Sequence, residues 1–272
     1  MRPAEAASRG RIGHHSGALR EARLSREPAR GRPLALRAAV ASEWIKLWSV
    51  RSTWWAVAVS VLLMSASAGI MGMDFAGDVQ RGETKDGLTM AVGEPATAST
   101  LLAQFAVVAL AMAVITAEFA TGSIRTTLTA DPRRGRVLFA KTTVVVAVTT
   151  PLAALLALTG VGIGGLALGS YGVAGSAAVA GDIAAITAYL VLTAILTLGL
   201  GALLRSPVAT LSVVLTVMLA LPMLIAVSAA DFLPGRAGMN LLDGNAAGGP
   251  ILAGWALAAQ LAGWAALRRR DI

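Results

Sequence analysis

The stretch TTVVVAVTTPLAALLALTGVGIGG, residues 142–165, decides the fold, because it runs for 24 residues without a charged side chain. The hydrocarbon core of a bilayer is about 30 Å thick, and a helix crosses it with about 20 apolar residues. Five more stretches meet this requirement. The predicted spans are residues 55–73, 100–116, 142–165, 183–203, 208–229 and 251–267. The sequence therefore predicts an all-α membrane protein with six transmembrane helices.

The composition agrees with this interpretation. The chain is 56% hydrophobic and 14% charged, with a mean hydropathy of +0.70, whereas soluble domains carry about 25% charged residues. It contains no cysteine, so a disulfide framework and a thiolate metal site are both excluded.

The basic residues predict the orientation. Of the 23 Lys and Arg, 20 lie before span one, between spans two and three, between four and five, or after span six. Eight of the 15 Asp and Glu lie on the other face, which has only 3 basic residues. Cytoplasmic loops of membrane proteins are enriched in Lys and Arg, so both termini are predicted to be cytoplasmic.

The N-terminal residues 1–33 contain eight Arg and three Glu and few apolar residues. They are either a disordered basic tail or an overextended start of the reading frame. Much of the net charge of +8 lies in this segment, so the charge does not indicate a nucleic-acid partner.

The centres of the predicted spans contain no ionisable residue. Lys141 lies at the start of span three, where its ammonium is predicted to extend toward the headgroups. Ion-coupled carriers usually place ionisable groups near the midplane, so such a carrier is disfavoured. Gln104 and Gln260 lie within spans, and each either makes an interhelical hydrogen bond or contacts a substrate.

No catalytic, cofactor-binding or metal residue is predicted, and the chain is not expected to be an enzyme. Gly160, Gly162 and Gly165 match a dinucleotide fingerprint, and residues 135–142 resemble a P-loop. Both lie in or lead into a membrane span, whereas these motifs require a preceding strand.

The segment SEWIKLWSVRSTWW, residues 42–55, has a helical stripe of large side chains. Its members are Trp44, Leu47, Trp48, Arg51 and Trp55. Ser42 is a suitable N-cap. An amphipathic helix at the membrane interface is predicted over residues 34–53; the alternative is that the segment only begins span one.

The segment EFATGSIRTTL, residues 118–128, follows span two. The helix is predicted to continue through Glu118, Gly122 permits a break, and the following residues can form a short helix. Proline at position 132 ends it, since Pro restricts the preceding residue. The arginines at positions 133, 134 and 136 are explained by the preference for positive charge on the cytoplasmic side.

These two segments, the six spans and the terminal RRRD (residues 268–271) resemble, in this order, permease subunits of ABC-2 type transporters. The short permeases of GC-rich Gram-positive bacteria are the most similar. The resemblance covers about residues 40–272 and implies a six-span domain, residues 54–272 here, in a bacterial cell membrane. It also implies a dimer with a second copy or a paralogue, and a separate cytoplasmic ATPase.

In such permeases the link after span two carries a coupling helix that docks on the ATPase, and an acidic residue precedes it. By this resemblance Glu118, Gly122, Ile124 and Arg125 form the docking element, within residues 118–128. Residues 42–51 become a connecting helix, and residues 231–250 a partly re-entrant outer element. The resemblance assigns ATP and magnesium to the partner ATPase, so this chain itself needs no cofactor.

The expected function is therefore ATP-driven export of a hydrophobic or amphipathic substrate. Two alternatives remain open. The chain is either a non-transporting subunit, such as an immunity or scaffold protein that recruits an ATPase, or, less in keeping with its uncharged span centres, an ion-coupled secondary carrier.

Overall fold

The computed structural model describes residues 32–83, 88–124, 127, 129, 134–224 and 228–269. The chain divides into two units, Met1–Ala38 and Ala39–Ile272, and the packing considered below lies within the second. Almost all of the predicted basic tail, residues 1–33, lies outside the described residues.

The described residues are mostly helical. The helices are α1 (Arg32–Ser49), α2 (Arg51–Arg81), α3 (Glu94–Thr121), α4 (Arg134–Leu168), α5 (Ser176–Leu204), α6 (Pro207–Leu215), α7 (Leu221–Leu224), α8 (Pro234–Leu242) and α9 (Gly248–Arg269). A π-helical segment, Thr216–Ala220, joins α6 to α7. Two short strands, β1 (Met90–Ala91) and β2 (Gly172–Val173), pair in parallel and connect the loop before α3 to the segment after α4.

Six of these stretches are long and apolar enough to cross a membrane, as the sequence predicts. They are α2, α3, α4 with the turn that follows it, α5, the continuous stretch Pro207–Leu224, and α9. Five of them extend beyond the predicted spans at both ends. The fifth is described as far as Leu224, because the residues that follow it, 225–227, are not described.

Helix α5 is the centre of the bundle and packs against α3, α4 and α9. Glycine allows α5 and α9 to approach closely. A Cβ on Gly199 would lie 2.5 Å from the carbonyl carbon of Ala259, and a Cβ on Gly263 would lie 2.6 Å from Gly199 O. Such small residues are typical of helix contacts within membranes.

Helices α2, α3 and α4 form a second group of contacts. The glycine-rich end of α4 packs closely against α2 and α3. A Cβ on Gly160 would lie 2.5 Å from Met64 Cε of α2, and one on Gly164 would lie 2.9 Å from Pro95 Cβ of α3.

Helix α8 packs at the middle of α5 rather than beyond its end. Its Gly238 lies against the ring of Tyr189, which is the fourteenth of the 29 residues of α5. At 1.5 Å per residue this is about 20 Å from the first residue of α5. Gly248, at the start of α9, lies against Ala237 O of α8. Helix α8 therefore fills the space beside the first half of α5, next to where α9 begins.

Candidate functional site

Four charged side chains from three helices meet at one end of the bundle; we refer to Glu43, Lys46, Glu118 and Lys141 as the four-charge cluster. Lys46 Nζ lies 2.9 Å from Glu43 Oε1 and 2.9 Å from Glu118 Oε1. Lys141 Nζ lies 2.6 Å from Glu43 Oε2 and 2.9 Å from Glu118 Oε1. Each carboxylate therefore contacts both ammonium groups, and the cluster is electrically neutral.

The cluster is mostly buried. The side chains of Lys141, Glu43 and Glu118 are 1%, 6% and 10% exposed, while Lys46 is 48% exposed. Taking an ion out of water costs several kcal/mol, which a partner charge and further hydrogen bonds have to offset. Lys141 has such a further bond, since its Nζ donates to Val114 O at 3.1 Å.

Lys46 is the member of the cluster nearest to solvent. Burial lowers its pKa, but the hydrogen bonds and charges of Glu118 and Glu43 outweigh burial, and the pKa is raised overall. Its Nζ also lies 3.5 Å from Thr127 Oγ1 in the link after α3. Lys46 is therefore protonated at neutral pH and contacts both α3 and the link.

Lysine is scarce in this chain, which makes its use in the cluster informative. The sequence has 20 Arg and 3 Lys, and two of the three Lys belong to the cluster. An ammonium can direct three donors at separate acceptors, whereas a guanidinium presents a planar fork that suits one carboxylate. The sequence signal that would have found the cluster is this concentration of lysine.

One atom of the cluster is not satisfied. Glu118 Oε1 contacts both ammonium groups, but Glu118 Oε2 is buried and has no hydrogen-bond partner among the described residues. Buried polar atoms are nearly always hydrogen-bonded in folded proteins. Glu118 is therefore attached to both lysines through one of its two carboxylate oxygens.

The conformation of Gly122 fixes the end of α3 and so the position of Glu118 in its last turn. Helix α3 ends at Thr121, and Gly122 caps it in the left-handed conformation, with φ of 73°. A residue with a Cβ is strained at that φ, whereas glycine is not. Glu118 thus lies in the last turn of a helix whose end is fixed by sequence.

Of the four predicted docking residues, two are buried, one is exposed and one is not described. Glu118 is 8% exposed and Ile124 is 3% exposed, so both side chains point into the protein. Gly122 is exposed, as are its neighbours Thr121 and Ser123. Arg125 lies outside the described residues. The exposed part of the link near the end of α3 is therefore Thr121 to Ser123.

The segment predicted as an interface helix, residues 34–53, is divided between two helices. Helix α1 ends at Ser49, and α2 begins at Arg51. Val50 between them is extended, with φ of −97° and ψ of 124°. The side chain of Thr53 donates to Leu47 O at 2.6 Å, which satisfies a carbonyl at the end of α1.

The single stripe of large side chains is divided by this break. Trp44, Leu47 and Trp48 belong to α1, whereas Arg51 and Trp55 belong to α2. Trp44 and Trp55 are 43% and 71% exposed, while Leu47 is buried. The Trp48 ring centroid lies 5.9 Å from that of Trp44.

An aromatic contact spans the break between the two helices. The centroid of the Trp48 ring on α1 lies 4.9 Å from that of Trp54 on α2. Aromatic pairs at such separations are stabilising. The tryptophans thus form one group around the α1–α2 junction.

A cavity of about 310 Å³ lies between the α1–α2 junction and the second half of α3. Its walls are mainly apolar and include Leu47, Ala113 and Ala117. Glu43, Lys46 and Glu118 also line it. Pockets that combine apolar walls with a few polar groups are typical of binding sites.

Gln104 and Gln260 both make interhelical hydrogen bonds, one of the two roles predicted for them. Tyr189 Oη donates to Gln104 Oε1 at 2.6 Å, which joins α5 to α3. Gln260 Nε2 donates to Ile195 O at 2.8 Å, and Thr142 Oγ1 donates to Gln260 Oε1 at 3.2 Å. Gln260 therefore connects α9 to α5 and α4.

Two arginines contact the C-terminal turn of α9, which sequence reasoning did not anticipate. Arg134 donates to Leu267 O, and Arg205 Nη2 donates to Ala266 O at 3.3 Å. The last carbonyls of a helix lack intrahelical partners, so these donors complete the end of α9. Arg205 also lies over the ring of Phe119, at 5.3 Å from its centroid. Arg134 therefore has a structural role besides its effect on topology.

No protein-family model matches this chain, and no curated protein matches it. Among the described residues, no group of three His, Cys, Asp or Glu is arranged to hold a metal ion.

Proposed function

We propose that this chain is the transmembrane permease subunit of an ATP-driven ABC-2 type transporter. The observation that carries the proposal is the attachment of Glu118, the acidic residue before the coupling segment, to Lys46 of α1 and Lys141 of α4. A loop that only connects two spans needs no buried ion pairs at its start. A segment that transmits a displacement has to be attached firmly to the helices that it moves.

Both termini face the cytoplasm of a bacterial cell. The distribution of Lys and Arg supports this orientation, which puts the four-charge cluster and the link after α3 on the side where an ATPase would bind. Helix α1 lies at the cytoplasmic surface of the membrane, where its tryptophans contact lipid headgroups.

The partner is a cytoplasmic ATPase that binds ATP and magnesium and docks on residues 118–128. In this arrangement Glu118 attaches the segment from within, because its side chain is 10% exposed. Thr121, Gly122 and Ser123, which are exposed, contribute to the contact surface. A second copy or a paralogue completes the membrane domain.

The transported substrate is hydrophobic or amphipathic and is exported. The positions of charge in α3 and α4 support an apolar substrate. Glu118 and Lys141 lie toward the ends of these helices that form the cluster, not at their middle. The polar contact nearer the middle is neutral, between Gln104 and Tyr189. An ion-coupled carrier needs an ionisable relay across the membrane, so the energy in our proposal comes from the partner.

The experiment is to co-express the chain with candidate ABC-type ATPases and to purify any complex that forms. Ser123→Trp adds a large side chain at the exposed link and should abolish co-purification. The matched control, Ser42→Trp, adds the same side chain on exposed α1 and should leave it intact. Equal co-purification of both variants with the ATPase would contradict docking at the link.

Reconstitution separates transport from the non-transporting alternative. Proteoliposomes that contain the chain and its ATPase should move a fluorescent amphipathic dye only with ATP and magnesium. A complex that hydrolyses ATP without moving a panel of such dyes or fluorescent phospholipids would favour the scaffold or immunity function. Dye movement that survives ATP depletion but is lost with an uncoupler would favour a secondary carrier.

A further inference from the structure

We propose that the four-charge cluster couples α1 to the docking segment, so that a displacement of residues 118–128 moves α1 with it. The identity of the partner rests on the proposed function. The coupling itself is a property of this chain and is testable without a partner.

The four ion pairs divide into two kinds. Glu43 with Lys46 lies within α1, and Glu118 with Lys141 joins α3 to α4. The other two pairs bridge between these groups: Lys46 with Glu118, and Lys141 with Glu43. Only the bridging pairs attach α1 to the rest of the cluster.

Separation of α1 from α3 and α4 is costly because it would break both bridges at once. Glu43 and Lys141, at 6% and 1% exposed, would each lose a partner in a site that water barely reaches. A buried ion that loses its partner is strongly destabilising, because neither water nor another charge replaces that partner. Helix α1 is therefore expected to follow α3 rather than to detach from it.

Further contacts connect the cluster to the link after α3 on one side and to α2 on the other. Toward the link, Lys46 Nζ approaches Thr127 Oγ1 at 3.5 Å. Toward the membrane, the side chain of Thr53 on α2 donates to Leu47 O on α1. A displacement of the link thus reaches α1 through Lys46 and reaches the first span through Thr53.

The arrangement allows a test with matched neutral variants. Glu43→Gln with Lys46→Met removes both charges that α1 contributes to the cluster and leaves Glu118 paired with Lys141, so no ion-pair bridge remains. Glu43→Gln with Lys141→Met removes the same number of charges and leaves the bridge between Lys46 and Glu118. Both variants lose one carboxylate and one ammonium, and a bridge survives in only one of them. The variant that keeps a bridge is also the one that loses the more deeply buried lysine, so a general loss of stability would act against the expected result.

The readout is the distance between two spin labels in nanodiscs without any partner. The chain has no cysteine, so Ser42→Cys on α1 and Thr121→Cys at the end of α3 give the only two labelling positions. We expect the variant without a bridge to lose the single distance distribution and to show additional populations. The variant with a bridge should keep the distribution of the unmutated chain. Identical distributions in the two variants would overturn the proposal.

A second pair keeps the test decisive if either variant fails to insert. Lys46→Met with Glu118→Gln leaves the bridge between Lys141 and Glu43, whereas Glu118→Gln with Lys141→Met leaves only the pair within α1. The same difference in distance distributions is expected between these two, and its absence would contradict the coupling.

A further measurement distinguishes this inference from the proposed function. Stimulation of the partner ATPase should be lost in Glu43→Gln/Lys46→Met and kept in Glu43→Gln/Lys141→Met, although both bind the ATPase. If the unmutated chain binds no ATPase but the distance distributions differ as expected, the coupling holds and the proposed partner is wrong. Equal stimulation in both variants would overturn the transmission through α1.

Discussion

Lys141 and Glu43 are 98 positions apart in sequence, yet Lys141 Nζ lies 2.6 Å from Glu43 Oε2 in a buried site. This pair attaches the third membrane-crossing helix to the helix that precedes the first. Because Glu43 also contacts Lys46, and both lysines contact Glu118, the pair organises one end of the molecule.

Replacement of Lys141 by methionine should destabilise the protein by about 3 kcal/mol, because two buried carboxylates would then share one ammonium. Denaturant unfolding in detergent micelles measures the change. Lys46→Met should cost less, since that side chain is 48% exposed and exposed ion pairs contribute little. Addition of Glu118→Gln to Lys141→Met should recover stability, because it restores neutrality. If the double variant is no more stable than Lys141→Met, charge balance is not what holds the cluster.

Lys141→Arg preserves the charge but should not preserve the cluster. The planar guanidinium favours one carboxylate, and its extra atoms have to enter a site where Lys141 is 1% exposed. Overpacking of this kind typically costs about 1–3 kcal/mol. The same unfolding measurement applies, and full stability of this variant would show that the direction of the donors is unimportant.

Gly199→Val should separate α5 from α9, because even the Cβ would meet the backbone of Ala259 at 2.5 Å. A loss of about 1–3 kcal/mol is expected from such a clash. Gly162→Ala on α4 is the control, since nothing lies within 4 Å of its Cβ position. Alanine also favours helix over glycine by about 1 kcal/mol, so the control should be neutral or more stable. Equal thermal stability of the two variants in micelles would contradict the close packing at Gly199.

Tyr189→Phe should destabilise the bundle by about 1–3 kcal/mol. The reason is that Gln104 Oε1, which is buried, would lose the Tyr189 hydroxyl that donates to it. The chain has 2 Tyr, and Tyr171→Phe in the turn that follows α4 is the matched control. Thermal unfolding should show a lower midpoint for Tyr189→Phe only. A midpoint equal to that of the control would mean that the hydrogen bond adds no stability.

Cysteine labelling in intact cells tests the orientation. Since the chain has no cysteine, Ser42→Cys and Thr89→Cys each provide a single thiol. A membrane-impermeant maleimide should label Thr89→Cys in intact cells, and Ser42→Cys only after the cells are opened. The reverse pattern would place both termini outside.

The positions of the spans could be predicted, but their ends could not. Long apolar runs have to be buried in lipid wherever the rest of the chain lies, so composition alone locates them. Helix α4 is described from Arg134, eight residues before the predicted span, and its first charged residues have partners: Arg134 at the end of α9, and Lys141 in the four-charge cluster. Those partners lie far away in the sequence.

The candidate site could be predicted only in part. Glu118 and Gly122 were singled out, and Gly122 ends α3 in the left-handed conformation that its lack of a Cβ permits. Lys141 was expected to extend toward the headgroups, but its side chain is 1% exposed and paired with two carboxylates. Glu43 and Lys46 were not recognised as its partners, because hydropathy gives no information on which helices pack together.

The sequence by itself determined the number of membrane spans, the glycine that ends α3 and the unequal distribution of charge between the two faces. Each of these depends on local properties: the length of an apolar run, the conformations open to glycine and the cost of moving Lys or Arg across a bilayer. Only the tertiary structure decided which charges pair. Spans that are apolar on all sides do not specify their own rotation or neighbours, so the meeting of Glu43, Lys46, Glu118 and Lys141 depends on how α1, α3 and α4 pack.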